Sequence, residues 1–453
     1  MTMSDETVEI VDTTTRDGNQ SLWGATGLTT PDVLEIAPAM DRVGYHALDF
    51  TSSTHMAVSV RYHQEDPWER IRLVSEAMPN TPLSIITTGM RFISWTPAGE
   101  DVMRLVFRCV ARNGIRRMQI ADPSNDPESL IRLARMAREE GVEEVVIGLT
   151  YSISPVHTHG YYAERARAVA ASEEIDRLYL KDPGGLLTHE AVAELGPAFV
   201  EAFAPRPAEL HSHCTIGLAP RAYEEGLRAG MGTLHTATPP LADGTSNPPV
   251  EPTLATIEAE GFTHRLDREA IAEVSAHFQA LAEREDLPAG APREFDARYY
   301  EHQMPGGMVT TTQRQLKEIG KPELFEETLE EVTRVRAEMG YPIMVTPVSQ
   351  FVATQAVMNV ISKERWSKIG NEMARYFLGH FYEPAAPVDP DVAEKVLAMP
   401  RIDKLRELRP LSLEGAHERF GDGISDEELL LRLTMSAEQV DAMLAQTAQS
   451  PAP

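Results

Sequence analysis

Leu178-Tyr179-Leu180-Lys181-Asp182-Pro183-Gly184-Gly185 places the first lysine of the chain where an apolar strand ends in a turn. A strand that points a lone lysine into a site is a place to look for chemistry. Two other fragments share the form: Val8 to Asp12 runs into Thr13-Thr14-Thr15-Arg16-Asp17, and Ala208-Glu209-Leu210 runs into His211-Ser212-His213. Three separated strand ends thus offer one carboxylate, one lysine and two imidazoles, a candidate metal site.

Outward from these fragments, short β-rich runs recur at Val8–Thr13, Ala47–Thr51, Leu83–Thr88, Arg117–Asp122, Glu144–Thr150, Arg177–Asp182, Ala208–Cys214 and Thr233–Thr238. Amphipathic stretches separate them, among them Asp32–Met40, Trp68–Met78, Asp101–Asn113, Pro127–Glu140, Tyr162–Ala171, Thr188–Phe203 and Pro220–Ala229. Thr30-Pro31 reads as an N-cap followed by proline at the first helical position. This alternation predicts an α/β fold, a (β/α)8 TIM barrel, which takes about 250 residues. The polar residues Arg16, Asp17, Asp122, Asn125, Lys181, Asp182, His211 and His213 fall at the strand ends that form the catalytic face of such a barrel. The expected division is a catalytic barrel over 1–266, a mainly helical C-terminal domain over 267–448 that completes the active-site funnel, and a disordered tail over 449–453. The last helix of that domain begins with a capping box, Ser425 to Glu428.

Composition narrows the functional classes. A formal charge of −27 argues against sequence-independent binding to nucleic acid or anionic lipid, since both need a basic face. Cys109 and Cys214 stand alone, without disulfide or zinc-ribbon spacing. No apolar run reaches the roughly 18 residues of a membrane span, and the N-terminal Met1–Glu6 is acidic where a signal peptide is basic. A soluble, cytoplasmic protein without membrane insertion is expected, acting on proteins and small molecules.

The chemistry follows from residue type. Two histidines two apart on a strand share a face, so His211 and His213 can contact one ion while Ser212 points away. The alternatives are a hydrogen-bonded or surface histidine pair, a structural Arg16–Asp17 salt bridge and a Lys181–Asp182 ion pair. A protonated ammonium cannot bind a cation, but a desolvated lysine can become neutral and add carbon dioxide to give an anionic carbamate. That would supply a further anionic ligand.

Several motifs resemble the carboxyltransferase domain of pyruvate carboxylase, found also in the oxaloacetate decarboxylase α-chain and the transcarboxylase 5S subunit. They are Thr13-Thr14-Thr15-Arg16-Asp17-Gly18-Asn19-Gln20-Ser21, Glu65-Asp66-Pro67-Trp68-Glu69-Arg70, Lys181-Asp182-Pro183-Gly184-Gly185, His211-Ser212-His213-Cys214-Thr215, Thr245-Ser246-Asn247-Pro248, Tyr300 to Gly307 and Val345-Thr346-Pro347. The resemblance spans nearly the whole chain, in order. It implies a divalent metal on Asp17, carbamylated Lys181, His211 and His213, with Arg16 and Gln20 beside it, and Thr245 as proton carrier between biotin and the acceptor. It also implies Lewis-acid stabilisation of a 2-oxo acid enolate that takes the carboxyl group from carboxybiotin. Mixed nitrogen and oxygen ligands suit zinc, manganese and cobalt alike.

The chain departs from the pattern on the acceptor side. Thr88 stands where the family has a carboxylate-binding arginine, with Arg91 as a replacement anchor or a solvated loop residue. Thr51 to Ala57 replaces a Trp-Gly-Gly-Ala-Thr segment, Cys214 replaces an aspartate, and Asn247 closes the later motif where the family has glutamine. Thr88, Arg91, Asp122 and Asn125 are the candidate acceptor contacts, and the acceptor is expected to differ from pyruvate. No biotinylation sequence surrounds any lysine, so biotin is expected on a separate carboxyl carrier protein, with a biotin carboxylase subunit as further partner and a homodimer as the assembly. The main reading is a stand-alone carboxyltransferase subunit. The alternatives are a biotin-independent lyase or Claisen-type condensing enzyme and a non-catalytic scaffold of a carboxylase complex.

Overall fold

The computed structural model describes residues 7–362 and 364–448. The acidic segment Met1–Glu6 and the tail 449–453 lie outside the described residues. Eight strands close a parallel barrel in sequence order: β1 (Glu9–Asp12), β2 (Ala47–Ser52), β3 (Leu83–Thr87), β4 (Ile115–Ile120), β5 (Glu144–Thr150), β6 (Arg177–Asp182), β7 (Ala208–Ser212) and β8 (Thr233–Thr236), with β8 pairing back onto β1. The helices α1 (Thr30–Val43), α2 (Pro67–Ala77), α3 (Glu100–Arg112), α4 (Pro127–Glu139), α5 (His159–Ala170), α6 (His189–Phe203), α7 (Ala219–Arg228) and α8 (Val250–Ala259) surround them. An apolar layer between strands and helices, with Val33, Val74, Val106, Leu133, Val169, Phe199 and Leu254 all buried, holds the two rings together.

Several local expectations change in three dimensions: β7 and β8 each stop two residues short of their patterns, at Ser212 and Thr236, and three further changes bear on the site. The cap of α1 is Thr29, not Thr30, because Thr29 and Asp32 form the reciprocal capping pair while the Thr30 hydroxyl donates to Glu65 at 2.6 Å. β1 stops at Asp12 because Thr14–Gly18 winds as a π-helix, closed by Gly18 N–H donating to Thr13 O at 3.0 Å. β4 starts and ends earlier than its pattern suggests, which leaves Asp122 in the loop beyond it.

The barrel interior is mainly polar. Its apolar part is a small cluster of Ile86, Ala121, Val146 and Tyr179. Tyr179 is fully buried, and its ring stands so close to β5 that a Cβ on Gly148 would lie 2.5 Å from it. Below this plug, toward the amino ends of the strands, Arg117 pairs with Glu144 and with Glu209 at 2.6 Å, while Arg177 reaches Glu144 at 2.6 Å and Glu9 at 2.7 Å. Of these, the Arg117–Glu209 pair is fully buried; charges taken that far from water persist only when paired, and removing one partner costs about 3–5 kcal/mol.

Helix α9 (Arg268–Glu285) packs against α1. Helices α10 (Gly306–Glu318), α11 (Phe325–Glu338), α12 (Val348–Ile361) and α13 (Asn371–Phe377) follow, and Met304, Val332, Val335, Val352, Ala356 and Tyr376 form their separate core. The chain then returns to the barrel, where Leu430, Leu431, Val440 and Met443 join the first core. Ser425 caps the helix Asp426–Thr434, its hydroxyl accepting from Glu428 N–H at 3.2 Å.

The helical region docks over the carboxyl ends of the strands. Gln303 accepts from the Ser152 hydroxyl at 2.9 Å and donates to Ile153 O at 2.6 Å, and Arg336 donates to the same two residues at 2.8 and 3.0 Å. These bonds tie the Tyr300-to-Gly307 motif to the loop after β5.

Candidate metal centre

The π-turn after β1 lifts Asp17 toward the end of β7, where His211 on the strand and His213, one residue past it, come together. Asp17 Oδ2 lies 3.2 Å from His211 Nε2 and 3.3 Å from His213 Nε2, and the two Nε2 atoms are 3.1 Å apart. A tetrahedral ion with bonds of 2.0–2.1 Å needs ligand atoms about 3.3–3.4 Å apart. The three donors therefore already stand at the edges of such a coordination shell, and all three residues are buried. The donor set fits a divalent metal.

The surroundings hold Asp17 as an anion. Its Oδ2 pairs with Arg16 at 3.0 Å, and its Oδ1 accepts from the Ser21 hydroxyl at 3.2 Å. Burial raises its pKa, but Arg16 and the two histidines outweigh burial and keep the carboxyl well below its ordinary range. Arg16 is itself fixed by Asp49 on β2, to which its Nε donates at 2.8 Å. The short helix Asn19–Trp23 then carries Gln20, half-buried, beside the turn.

Lys181 lies opposite His211 in the β6–β7 register. The ion pair with Asp182 does not form. Asp182 points to the other side, accepting from Leu186 N–H and Leu187 N–H at 2.9 Å each and from the Ser212 hydroxyl at 2.7 Å. Asp182 thus shapes the Pro183-Gly184-Gly185 turn, and Lys181 is left to the site. Burial, followed by the nearby Arg16 guanidinium, lowers the Lys181 pKa to about 8. At pH 7 about a tenth of its amine is then unprotonated, the form that adds carbon dioxide.

Thr245 stands at the edge of the same region, its hydroxyl donating to Ser21 O at 2.9 Å. The Pro305-Gly306-Gly307 turn lies directly on it: a Cβ at Gly306 would stand 2.1 Å from Thr245 Cγ2. Asn247 holds the loop, accepting from Thr13 Oγ1 at 2.9 Å and donating to Ser212 O at 3.0 Å.

The residues expected on the acceptor side separate. Thr88 is half-buried just past β3, and Asp122 packs its carboxylate against Gly89 beside it. Arg91 is not a solvated loop residue: it is buried, donates to His380 O at 3.0 Å and Phe381 O at 3.2 Å, and stacks on Phe381. Asn125 is fully buried, its amide closed on the backbone of Thr150 in both directions at 2.8 and 2.9 Å. It clamps the end of β5 instead of facing an acceptor. Three site residues escaped sequence reasoning: Asp49, Glu209 and His235. Their signal was present, since each is a charged or titratable residue inside an apolar strand, and Glu209 precedes His211 by two.

The chain matches the HMGL-like family over residues 7–277 and the conserved carboxylase domain over residues 299–448. It is 37% identical over 393 residues to a pyruvate carboxylase subunit of Methanocaldococcus jannaschii, covering 86% of this chain and 68% of that protein. It is 33% identical over 389 residues to the 2-oxoglutarate carboxylase large subunit of Hydrogenobacter thermophilus, covering 86% of this chain and 59% of that one. The methylmalonyl-CoA carboxyltransferase 5S subunit of Propionibacterium freudenreichii is 28% identical over 388 residues, 85% of this chain and 76% of its own. In fold, the chain is similar to the carboxyl transferase domain of Rhizobium etli pyruvate carboxylase, with TM-score 0.87 at 23% identity over 99% of this chain and 78% of that one.

Proposed function

Because the chain belongs to the HMGL-like family and carries the conserved carboxylase domain, we propose that it is the carboxyltransferase component of a biotin-dependent carboxylase, acting on a small oxo-acid-like acceptor. The observation that carries this reading is the triangle of Asp17, His211 and His213, set beneath the Gly306–Thr245 contact that joins the two matched regions. The relatives are named as subunits of carboxylases and of a carboxyltransferase, which supports biotin carried on a partner. A biotin carboxyl carrier protein and a biotin carboxylase subunit are the partners this reading requires, with a homodimer and a cytoplasmic location. No helix among the described residues is long and apolar enough to cross a membrane.

Asp17, His211 and His213 would hold the divalent ion, zinc, manganese or cobalt, with Lys181 as a fourth ligand once its neutral amine had added carbon dioxide and released a proton to give the anionic carbamate. When bound, the ion supplies Lewis-acid stabilisation of negative charge developing on the acceptor's oxygen. Arg16, fixed by Asp49, adds a guanidinium beside Asp17, and Gln20 offers an amide. Thr245 moves a proton at its Oγ1, which exchanges the Ser21 carbonyl for the acceptor carbon or the biotin nitrogen as partner. The helical region over 267–448 completes the funnel above the 1–266 barrel and excludes water, its Gly306 backbone setting where the Thr245 methyl can lie. Thr88 and Asp122 shape the acceptor end, with Arg91 as the nearby cation.

The test supplies free biotin with oxaloacetate or a panel of other carboxylated 2-oxo acids and follows decarboxylation in the reverse direction, with and without metal. The wild type is expected to use an acid other than oxaloacetate best. Thr88→Arg should improve the pyruvate and oxaloacetate pair about tenfold to a hundredfold, the worth of one charge-assisted hydrogen bond of roughly 1.5–3 kcal/mol. Efficient metal-dependent turnover of oxaloacetate by the wild type, unmoved by Arg91→Ala, would return the acceptor to pyruvate.

A further inference from the structure

His235, on β8, belongs to none of the roles given above, yet it is fully buried between the metal centre and the charged floor of the barrel. Its Nε2 lies 2.9 Å from Glu209 Oε2, and its Nδ1 lies 3.1 Å from His211 Nδ1. Continuing the β7–β8 register from Leu210 and Leu234 sets the two rings side by side. Tyr179 stacks on the His235 ring at 5.3 Å and 18° and keeps its plane. We propose that Glu209 and His235 are positioning residues of the metal centre, a relay that fixes which nitrogen of His211 faces the ion. This inference rests on the metal reading of the preceding subsection.

Glu209 is fully buried with Arg117 at 2.6 Å and Arg177 at 3.5 Å, so it is an anion that can only accept. The hydrogen between it and His235 must therefore sit on His235 Nε2. A neutral imidazole carries one hydrogen, so with His235 neutral its Nδ1 presents a lone pair. The hydrogen of the next bond must then come from His211 Nδ1. That leaves a lone pair on His211 Nε2, the atom 3.2 Å from Asp17 Oδ2 and 3.1 Å from His213 Nε2. In the opposite arrangement a hydrogen would occupy Nε2 and block coordination. Ligating histidines generally donate their second nitrogen to an oriented acceptor, often a carboxylate, and loss of that acceptor weakens metal binding tenfold to a hundredfold. Here a second imidazole lengthens the connection, and the two arginines of the floor hold the far end.

The experiment compares the full-length wild type with His235→Ala, His235→Asn, Glu209→Gln and Glu144→Gln. It reads zinc affinity by chelator competition and the visible absorption of the cobalt(II) protein. His235→Ala and Glu209→Gln should bind zinc tenfold to a hundredfold more weakly, with shifted cobalt bands, and the double variant should be no worse than the weaker single one. His235→Asn places an accepting Oδ1 where Nδ1 stood and should recover affinity to within a few-fold. Glu144→Gln strips a carboxylate from the same two arginines without touching His235, and should lower stability while leaving zinc affinity and the cobalt bands in place. Metal binding unchanged in His235→Ala, or lost equally in Glu144→Gln, overturns the relay and leaves the metal reading standing. A wild type that binds no metal overturns both. If His235→Ala does not fold, the contrast between His235→Asn and Glu209→Gln decides in the same way.

Discussion

The two ends of this barrel handle charge in opposite ways. At the amino end, Arg117 and Arg177 pair with Glu9, Glu144 and Glu209 on other strands, and His46 and His235 take further carboxylate oxygens of the same three. At the carboxyl end, Asp17, His211 and His213 direct their donor atoms at one shared point, and Lys181 adds an amine held by no carboxylate of its own loop. The first arrangement finds its partners within the chain and serves the fold. The second is open, and needs something from outside the chain to complete it. Burial alone does not separate the two, since Arg117 and Glu209 are as enclosed as the donors of the metal centre; the direction of the lone pairs does.

The largest break expected is at the open end. His211→Ala removes one vertex of the donor triangle, and bound metal should fall below about a tenth of the wild-type stoichiometry, because the site loses both a bond and its geometry. Carboxyl transfer should fall with it. Elemental analysis of the purified variant decides; wild-type stoichiometry would show that the donors gather for another reason.

Next comes the closed end. Arg117→Ala leaves Glu209 and Glu144 with one arginine between them, and should lower unfolding stability by about 3–5 kcal/mol in a denaturant titration. A loss below about 1 kcal/mol would mean that water reaches the floor and that the contrast between the ends is one of placement only.

The smallest effect lies at the rim of that floor. His46 lies 3.2 Å from Glu144 and 3.4 Å from Glu9. Burial lowers its pKa, but Glu144 and Glu9 outweigh burial and raise it above 6.5. Glu9 moves the other way, to about 2, because His46 and Arg177 outweigh its burial. A raised histidine contributes stability below 6.5 that is lost as pH climbs through its folded value. A lowered carboxylate contributes stability above 4.5 that is lost as pH falls toward 2. The difference between wild type and His46→Gln should therefore peak between pH 4.5 and 6.5 and shrink on both sides. Its size should stay under about 1 kcal/mol, since the pair is partly exposed. A difference that keeps growing above pH 7 would contradict the assignment.

The same contrast explains what could be read from the sequence. Strands β5 and β6 match their patterns residue for residue, at Glu144–Thr150 and Arg177–Asp182, because β-rich runs bounded by turns fix strands locally. The gathering of Asp17, His211 and His213 was legible because barrel topology brings strand ends together. The π-turn at Thr14–Gly18 was not, since its closure depends on contacts beyond a local pattern. Nor was the link from Glu209 to His235, which depends on strand register and on which of several buried partners wins a proton. Asn125 shows the reverse failure: a polar residue past a strand end looks like a ligand contact, yet here it is a backbone clamp. Arg91 looked free to reach solvent or acceptor until the helical region supplied two carbonyls for it.

The tyrosine ring wedged against Gly148 has a consequence for traffic. With Tyr179 filling the middle of the barrel above a mesh of ion pairs, the central axis is a shaft stopped at the bottom. Whatever reaches Lys181 and the two histidines must then come from the carboxyl ends of the strands, the side on which the helical region docks. An arm tethered to another protein can then be inserted from one side only, which fixes the face that its owner must approach before any complementarity of surfaces comes into play.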